Sequence, residues 1–163
     1  MIIVTGGAGF IGSNILAGLE DSGEGNLVAV DTQNAAIQNI SKRKLKHFIE
    51  PHELFQFCEK NRKEIRAIIH MGATSSTLVN DASLFFKNNY SYSLKIWETC
   101  SKLELPLIYA SSAATYGNGT IGFDDKTSIR SLSKFKPLNL YGRSKHLFDR
   151  KIIQKIDRGH QAP

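Results

Sequence analysis

The sequence predicts an α/β fold, a parallel sheet covered by helices. Three observations predict it. Short apolar runs of strand type alternate with helix-length apolar stripes along the chain. The first run, Ile2–Thr5, opens straight into a glycine cluster that itself opens a helix, Gly6-Gly7-Ala8-Gly9-Phe10-Ile11-Gly12. The second run, Leu27 to Val30, is followed at once by an acidic residue, Asp31.

The elements follow in order. After the first strand, Ile11, Ile15, Leu16 and Leu19 mark the apolar side of a helix. Leu27–Asp31 is the second strand, and a short third strand lies near His47–Ile49. Pro51 suits the first turn of a helix running to about Asn61. Ala67–His70 is the fourth strand. A long helix covers Ser83 to Lys102, with Leu84, Phe85, Tyr92, Leu94, Ile96 and Trp97 as candidates for burial. Pro106 ends that pattern and introduces Leu107–Ala110, the fifth strand. Asn118 to Pro137 reads as polar, glycine-containing loop. A last helix begins near Tyr141 with Leu147, Phe148, Ile152, Ile153 and Ile156 on an apolar stripe. The expected architecture is a Rossmann-like doubly wound parallel sheet of about five strands over residues 1–156, with 157–163 as a short irregular tail. Against the six-stranded form of that fold it is incomplete, and it leaves an edge that further strands normally cover.

Composition narrows the class. The chain has 163 residues, enough for one domain with a core. No apolar run approaches the ~20 residues of a membrane span. Ile2 already belongs to the first strand, so no signal peptide is expected. Cys58 and Cys100 stand in helical contexts without metal spacing, and a reducing cytoplasm is the default reading. The net charge is +6, and ten Lys/Arg face Asp149 and Asp157 from Lys126 onward. Aromatics are not interleaved with those basic residues as a base-stacking platform requires, so a nucleic-acid partner is not expected. A solvated helix face and attraction for an anionic nucleotide ligand account for the charge.

The glycine cluster carries the first chemical signal. Gly7, Gly9 and Gly12 form G-x-G-x-x-G, and Gly6, Gly9 and Gly12 form G-x-x-G-x-x-G. One glycine lets the chain turn, one lets the backbone approach a pyrophosphate, and one lets helix and strand pack closely. The helix N-terminus offers N–H groups and a positive dipole end to phosphates. A strand before, a helix after and Asp31 beyond a second strand complete the context of a dinucleotide-binding fingerprint. Asp31 by itself favours the 2′-hydroxyl of NAD.

Three further segments follow predicted strands, where α/β sheets bind ligands. In His70-Met71-Gly72-Ala73-Thr74-Ser75-Ser76-Thr77, small residues let a ribose and nicotinamide approach the backbone. His70 reads as a hydrogen-bonded strand-end histidine rather than a catalyst, and nothing makes it a metal ligand. In Ala110-Ser111-Ser112-Ala113-Ala114-Thr115-Tyr116-Gly117, a hydroxyl is placed to hydrogen-bond a substrate alcohol or carbonyl. No G-x-S-x-G elbow surrounds it, which argues against a hydrolase. In Tyr141-Gly142-Arg143-Ser144-Lys145, phenol and ammonium stand at i and i+4 on a helix. A neighbouring ammonium favours the phenolate and brings the phenol toward proton-transfer chemistry. Ser112, Tyr141 and Lys145 are therefore the candidate catalytic set.

These motifs resemble the extended short-chain dehydrogenase/reductases, which include nucleotide-sugar epimerases and dehydratases. A narrower resemblance is to the ADP-glyceromanno-heptose 6-epimerase family. It is carried by Gly72-Ala73-Thr74-Ser75-Ser76-Thr77, Asn88-Asn89-Tyr90, Tyr109 to Gly117 and Lys136 to Lys145. The resemblance implies transient oxidation at C6 of an ADP-heptose, with hydride returned to the other face, for lipopolysaccharide core synthesis. It implies Tyr141 as the proton-transfer residue, Lys145 on the cofactor ribose and Ser112 beside the reacting carbon. Gly6, Gly9, Gly12, Phe10, Ile11, Asp31, Thr32, Met71, Gly72, Ala73, Thr74, Ser75 and Asn88 become the expected cofactor contacts. It implies NADP where Asp31 favours NAD, since the family's lysine for the 2′-phosphate falls near Ala36 and no basic residue follows Asp31 until Lys42. Family members form homo-oligomers in the cytoplasm and run to about twice this length. The expectation is thus a truncated N-terminal half lacking the sugar-nucleotide pocket and a second catalytic lysine, and inactive alone. The alternatives are another nucleotide-sugar epimerase or dehydratase, or a non-catalytic dinucleotide-binding remnant.

Overall fold

The computed structural model describes residues 1–76, 80–125 and 128–163. Thr77 of the strand-end motif and Lys126 of the basic tail lie outside the described residues. The chain divides into two compact units, one of residues 1–72, 96–110 and Pro163, the other of residues 73–95 and 111–162.

The first unit is built on a five-stranded sheet, β1 (Ile2–Thr5), β2 (Leu27–Val30), β3 (His47–Ile49), β4 (Ala67–His70) and β5 (Leu107–Tyr109). The order is β3-β2-β1-β4-β5 and every pairing is parallel. β1 is central, with Ile3 opposite Val28 on one side and Ile68 on the other. Strands flanked and covered on both faces bury every residue, which is why β1 and β2 are wholly apolar apart from Thr5. The edges differ: Phe48 of β3 and Ile108 of β5 are exposed, Ile108 to 62%. The core joins Ile2, Val4, Leu27 and Ala29 of the sheet to Leu16 of α1 (Phe10–Asp21), with Ile15 and Leu19 packed against it. Ile11, expected on that apolar side, is exposed instead. Pro51 precedes rather than enters the next helix, α2 (Leu54–Lys60).

The second unit begins in a loop that leads into α3 (Ala82–Phe85), capped by the Asp81 carboxylate on the Ser83 and Leu84 N–H groups. A π-helical turn, Phe86–Ser91, follows, and α4 (Tyr92–Leu103) continues it, its residues from Ile96 onward counted in the first unit. The predicted long helix is thus interrupted by one wide turn. The segment 118–137, expected to be loop, contains α5 (Ile129–Leu132) capped by Ser128, and Phe135 just beyond is buried against the Tyr116 ring. Short helices of four residues carry no periodicity for a sequence reading to detect. α6 (Leu140–Asp157) is the long helix expected from Tyr141. Its buried face is not the predicted stripe. Phe148 and Ile152 are buried, but Leu147 and Ile156 are exposed, and Gly142, Ser144, Lys145 and His146 complete the inner face. Among the described residues, no helix is long and apolar enough to cross a membrane.

Candidate functional site

The glycine loop of the first unit is held by its own backbone and by side chains from neighbouring strand ends. Gly9 caps α1 with no side chain, so the first-turn N–H groups are left for an anion. Gly12 is the tightest point: a Cβ there would stand 2.1 Å from the Gly6 carbonyl oxygen. Asp31 sits just past β2, where one carboxylate oxygen accepts the Ala8 N–H (3.0 Å) and the other accepts the Thr32 N–H (2.9 Å). A carboxylate has about four acceptor positions, so capacity remains for ribose hydroxyls. Asn39, which sequence reasoning passed over, donates to the Ala8 carbonyl at 2.9 Å and braces the loop. Phe10 and Ile11 are both exposed at the start of α1.

The ends of β1 and β4 are locked together. The Thr5 hydroxyl lies 2.6 Å from Nδ1 of the buried His70 and accepts the Gly72 N–H at 3.1 Å. His70 is therefore a structural hydrogen-bonding group, as expected. Met71 packs against the core, and its N–H donates to the Thr5 carbonyl at 3.2 Å. The two cysteines of this unit are fully buried, and burial pushes the Cys58 thiol up to about 11 and that of Cys100 to about 12. Neither is poised as a nucleophile.

The second unit holds the Ser, Tyr and Lys. Ser112 opens a 3₁₀ turn, Ala113–Tyr116, and its hydroxyl accepts the Ala114 N–H at 3.1 Å. α6 starts against that turn. A Cβ on Gly142 would stand 2.6 Å from the Ala114 carbonyl oxygen, so only glycine admits the approach. Asn139 caps the helix by accepting the Gly142 N–H at 2.7 Å. Tyr141 is half-buried in the first turn, and Lys145 one turn on is only 2% exposed. Burial pulls the Lys145 ammonium down from its ordinary range, and the Asp149 carboxylate opposes that.

The residue that organises this unit is Asn89, fully buried in the π-helical turn. Its side chain accepts the Thr74 N–H at 2.8 Å and donates to the Thr74 carbonyl at 2.9 Å and to Ser144 Oγ at 3.0 Å. Ser144 in turn donates to the Tyr141 carbonyl at 2.7 Å. Asn88, an expected cofactor contact, donates to Thr74 Oγ1 at 3.0 Å. Thr74 is thus gripped by both asparagines, while Ala73 and Ser75 flank it on the same loop. A polar residue inside a helix pattern was the available signal.

His146 is a second buried titratable group. Its Nδ1 has no hydrogen-bond partner among the described residues, and burial, then the Arg150 charge, hold its pKa below the usual 6.5, with Asp149 opposing. A folded pKa below the unfolded one means the unfolded chain binds more protons in that interval, so stability falls as pH drops through 6.5. The slope for one such group is at most about 1.4 kcal/mol per pH unit. Urea midpoints measured between pH 7 and 5 are expected to fall for the natural chain and to fall less steeply for His146→Gln. Equal slopes would remove His146 as the cause.

Comparison with known proteins gives the family. Residues 2–161 match the NAD dependent epimerase/dehydratase family. The chain is 42% identical over 153 residues to the ADP-L-glycero-D-manno-heptose-6-epimerase of Fusobacterium nucleatum, covering 91% of this chain and 46% of that protein. It is 37% identical over 158 residues to that of Pseudomonas aeruginosa, covering 95% and 46%. Among solved structures, the Helicobacter pylori ADP-L-glycero-D-manno-heptose-6-epimerase superimposes with a TM-score of 0.75 at 26% identity, covering 94% of this chain and 50% of that one. The chain spans about half the length of the curated relatives it matches. From the glycine loop at its start to the long helix at its end, this chain belongs to the NAD dependent epimerase/dehydratase family.

Proposed function

We propose that this chain supplies the dinucleotide-binding and proton-transfer half of an epimerase that inverts C6 of an ADP-heptose. The observation that carries the reading is Lys145, buried one turn beyond Tyr141 on α6, in a chain whose curated relatives are named heptose epimerases. The uncapped start of α1, the Gly12 contact and the free acceptor capacity of Asp31 fit a dinucleotide. A bound nicotinamide supplies reversible hydride acceptance. The chain's own groups do the rest. The Tyr141 phenol moves the proton of the substrate hydroxyl as a ketone forms at C6 and reverts. Lys145 holds the cofactor ribose and favours the phenolate, and Ser112 hydrogen-bonds the reacting oxygen. The sugar nucleotide itself is the substrate class of the relatives' full length, and turnover is expected only with that remaining length present.

For the cofactor, the local charge favours NAD. The Asp31 carboxylate would repel a 2′-phosphate. Of the basic residues that follow, Arg43 is paired with Glu20 at 3.0 Å and Lys46 with Glu64 at 3.1 Å, while Lys42 and Lys44 are exposed. Calorimetric titration of the chain is expected to give binding of NAD about tenfold tighter than NADP, a difference of ~1.4 kcal/mol. A folded sample that takes up neither would overturn the dinucleotide-binding reading. A preference for NADP would overturn the Asp31 argument and return the cofactor to the one the family resemblance implies.

A further inference from the structure

We propose that Asp149 is a positioning residue of the Ser112, Tyr141 and Lys145 set, acting both as the anchor of the Ser111–Ser112 turn and as the counter-ion of buried Lys145. The inference rests on the reading of those three residues given above. Three observations within the second unit carry it. Ser111 Oγ donates to Asp149 Oδ2 at 2.6 Å, a short charge-assisted bond between residues 38 positions apart in the chain. Ser111 immediately precedes Ser112, whose hydroxyl opens the 3₁₀ turn. Asp149 also stands at i+4 from Lys145 on α6, on the same side of the helix.

The order of that pair is informative. A base followed four residues later by an acid is the weaker orientation for stabilising a helix, so the pair contributes less to α6 than the reverse order would. It serves a charge that burial disfavours. Lys145 is 2% exposed, and Asp149 is the charge that opposes its desolvation. Among the described residues the same carboxylate acts on His146 of α6 and on Tyr116 of the 3₁₀ turn. The elements packed on α6 also carry the charged or titratable groups Lys87, Tyr90 and Arg130. One side chain therefore holds the serine turn and opposes the loss of charge on the buried lysine.

The test uses the full chain with isotope-labelled lysine, following the Lys145 side-chain resonance against pH. Asp149→Asn keeps the shape and an acceptor oxygen for Ser111 but removes the charge. It is expected to lower the Lys145 titration midpoint by about one unit, within the usual effect of a neighbouring opposite charge, and Asp149→Glu is expected to restore most of it. Ser111→Ala and Asp149→Ala are expected to speed hydrogen exchange at the Ala114 N–H about tenfold, while Asp149→Asn leaves it near the natural rate. An unmoved Lys145 midpoint in Asp149→Asn would overturn the counter-ion role. Unchanged Ala114 exchange in Ser111→Ala would overturn the anchor. Both readouts need no dinucleotide. A chain that passes them yet binds no cofactor in the calorimeter would defeat the proposed function and leave the placement of Asp149 standing.

Discussion

Replacing Gly12 by alanine is expected to abolish dinucleotide binding and to destabilise the first unit by about 1–3 kcal/mol, the usual cost of forced overpacking. The added Cβ would lie 2.1 Å from the Gly6 carbonyl oxygen and 3.0 Å from the Gly7 Cα. Both are backbone atoms, so no side chain can swing away. Either α1 moves off the loop or the loop itself shifts, and each outcome spoils the N–H groups that face the ligand. Gly18, on the same helix, is the control. A Cβ there meets nothing within 4 Å, and alanine is the better helix former, by about 1 kcal/mol. Urea unfolding and calorimetric titration of the two variants separate steric from general effects. Natural affinity and midpoint in Gly12→Ala would show that the loop is plastic and that its close packing is not what shapes the site.

The second large effect is expected at Asn89. Asn89→Ala deprives the Thr74 N–H, the Thr74 carbonyl and Ser144 Oγ of a buried partner at once. Each such loss costs about 1–3 kcal/mol, and the losses share one cavity and do not simply add. A total of about 3–5 kcal/mol is a large part of the 5–15 kcal/mol that holds a domain folded. Asn89→Asp distinguishes the hydrogen bonds from the cavity. It preserves the volume but turns an acceptor toward the Thr74 carbonyl and Ser144, so it is expected to be at least as destabilising at neutral pH. If Asn89→Asp unfolded at the natural urea midpoint, the Asn89 hydrogen bonds would not be holding the Thr74 loop to α6.

The parallel sheet could be read from the chain because its evidence is local. β1, β2 and β4 are short apolar runs in sequence as in space, and for β1 and β2 burial on both faces admits little else. The glycine loop is legible for the same reason: its closest contact, Gly12 on Gly6, joins residues six positions apart. His70 could be assigned a hydrogen-bonding role because it ends a strand. α5 and the burial of Phe135 could not be foreseen, since a four-residue helix inside a polar segment has no period. The inner face of α6 was misread for a different reason. Periodicity counts apolar positions, and that face is made largely of glycine, serine, lysine and histidine.

The sequence by itself determined the fold class, the strand positions, the glycine loop followed by Asp31, and the placing of Tyr141 and Lys145 one turn apart on one helix. All of these depend on neighbours within a few residues or on a uniform apolar pattern. Only the tertiary structure decided that Lys145 is buried, that Asn89 rather than Asn88 is the hub, and that Asp149 reaches Ser111. Those facts join residues 15, 38 and 55 positions apart through hydrogen bonds. Polar side chains are compatible with solvent or with a partner, and which of the two they meet is set by the packing of distant elements, not by the residues beside them.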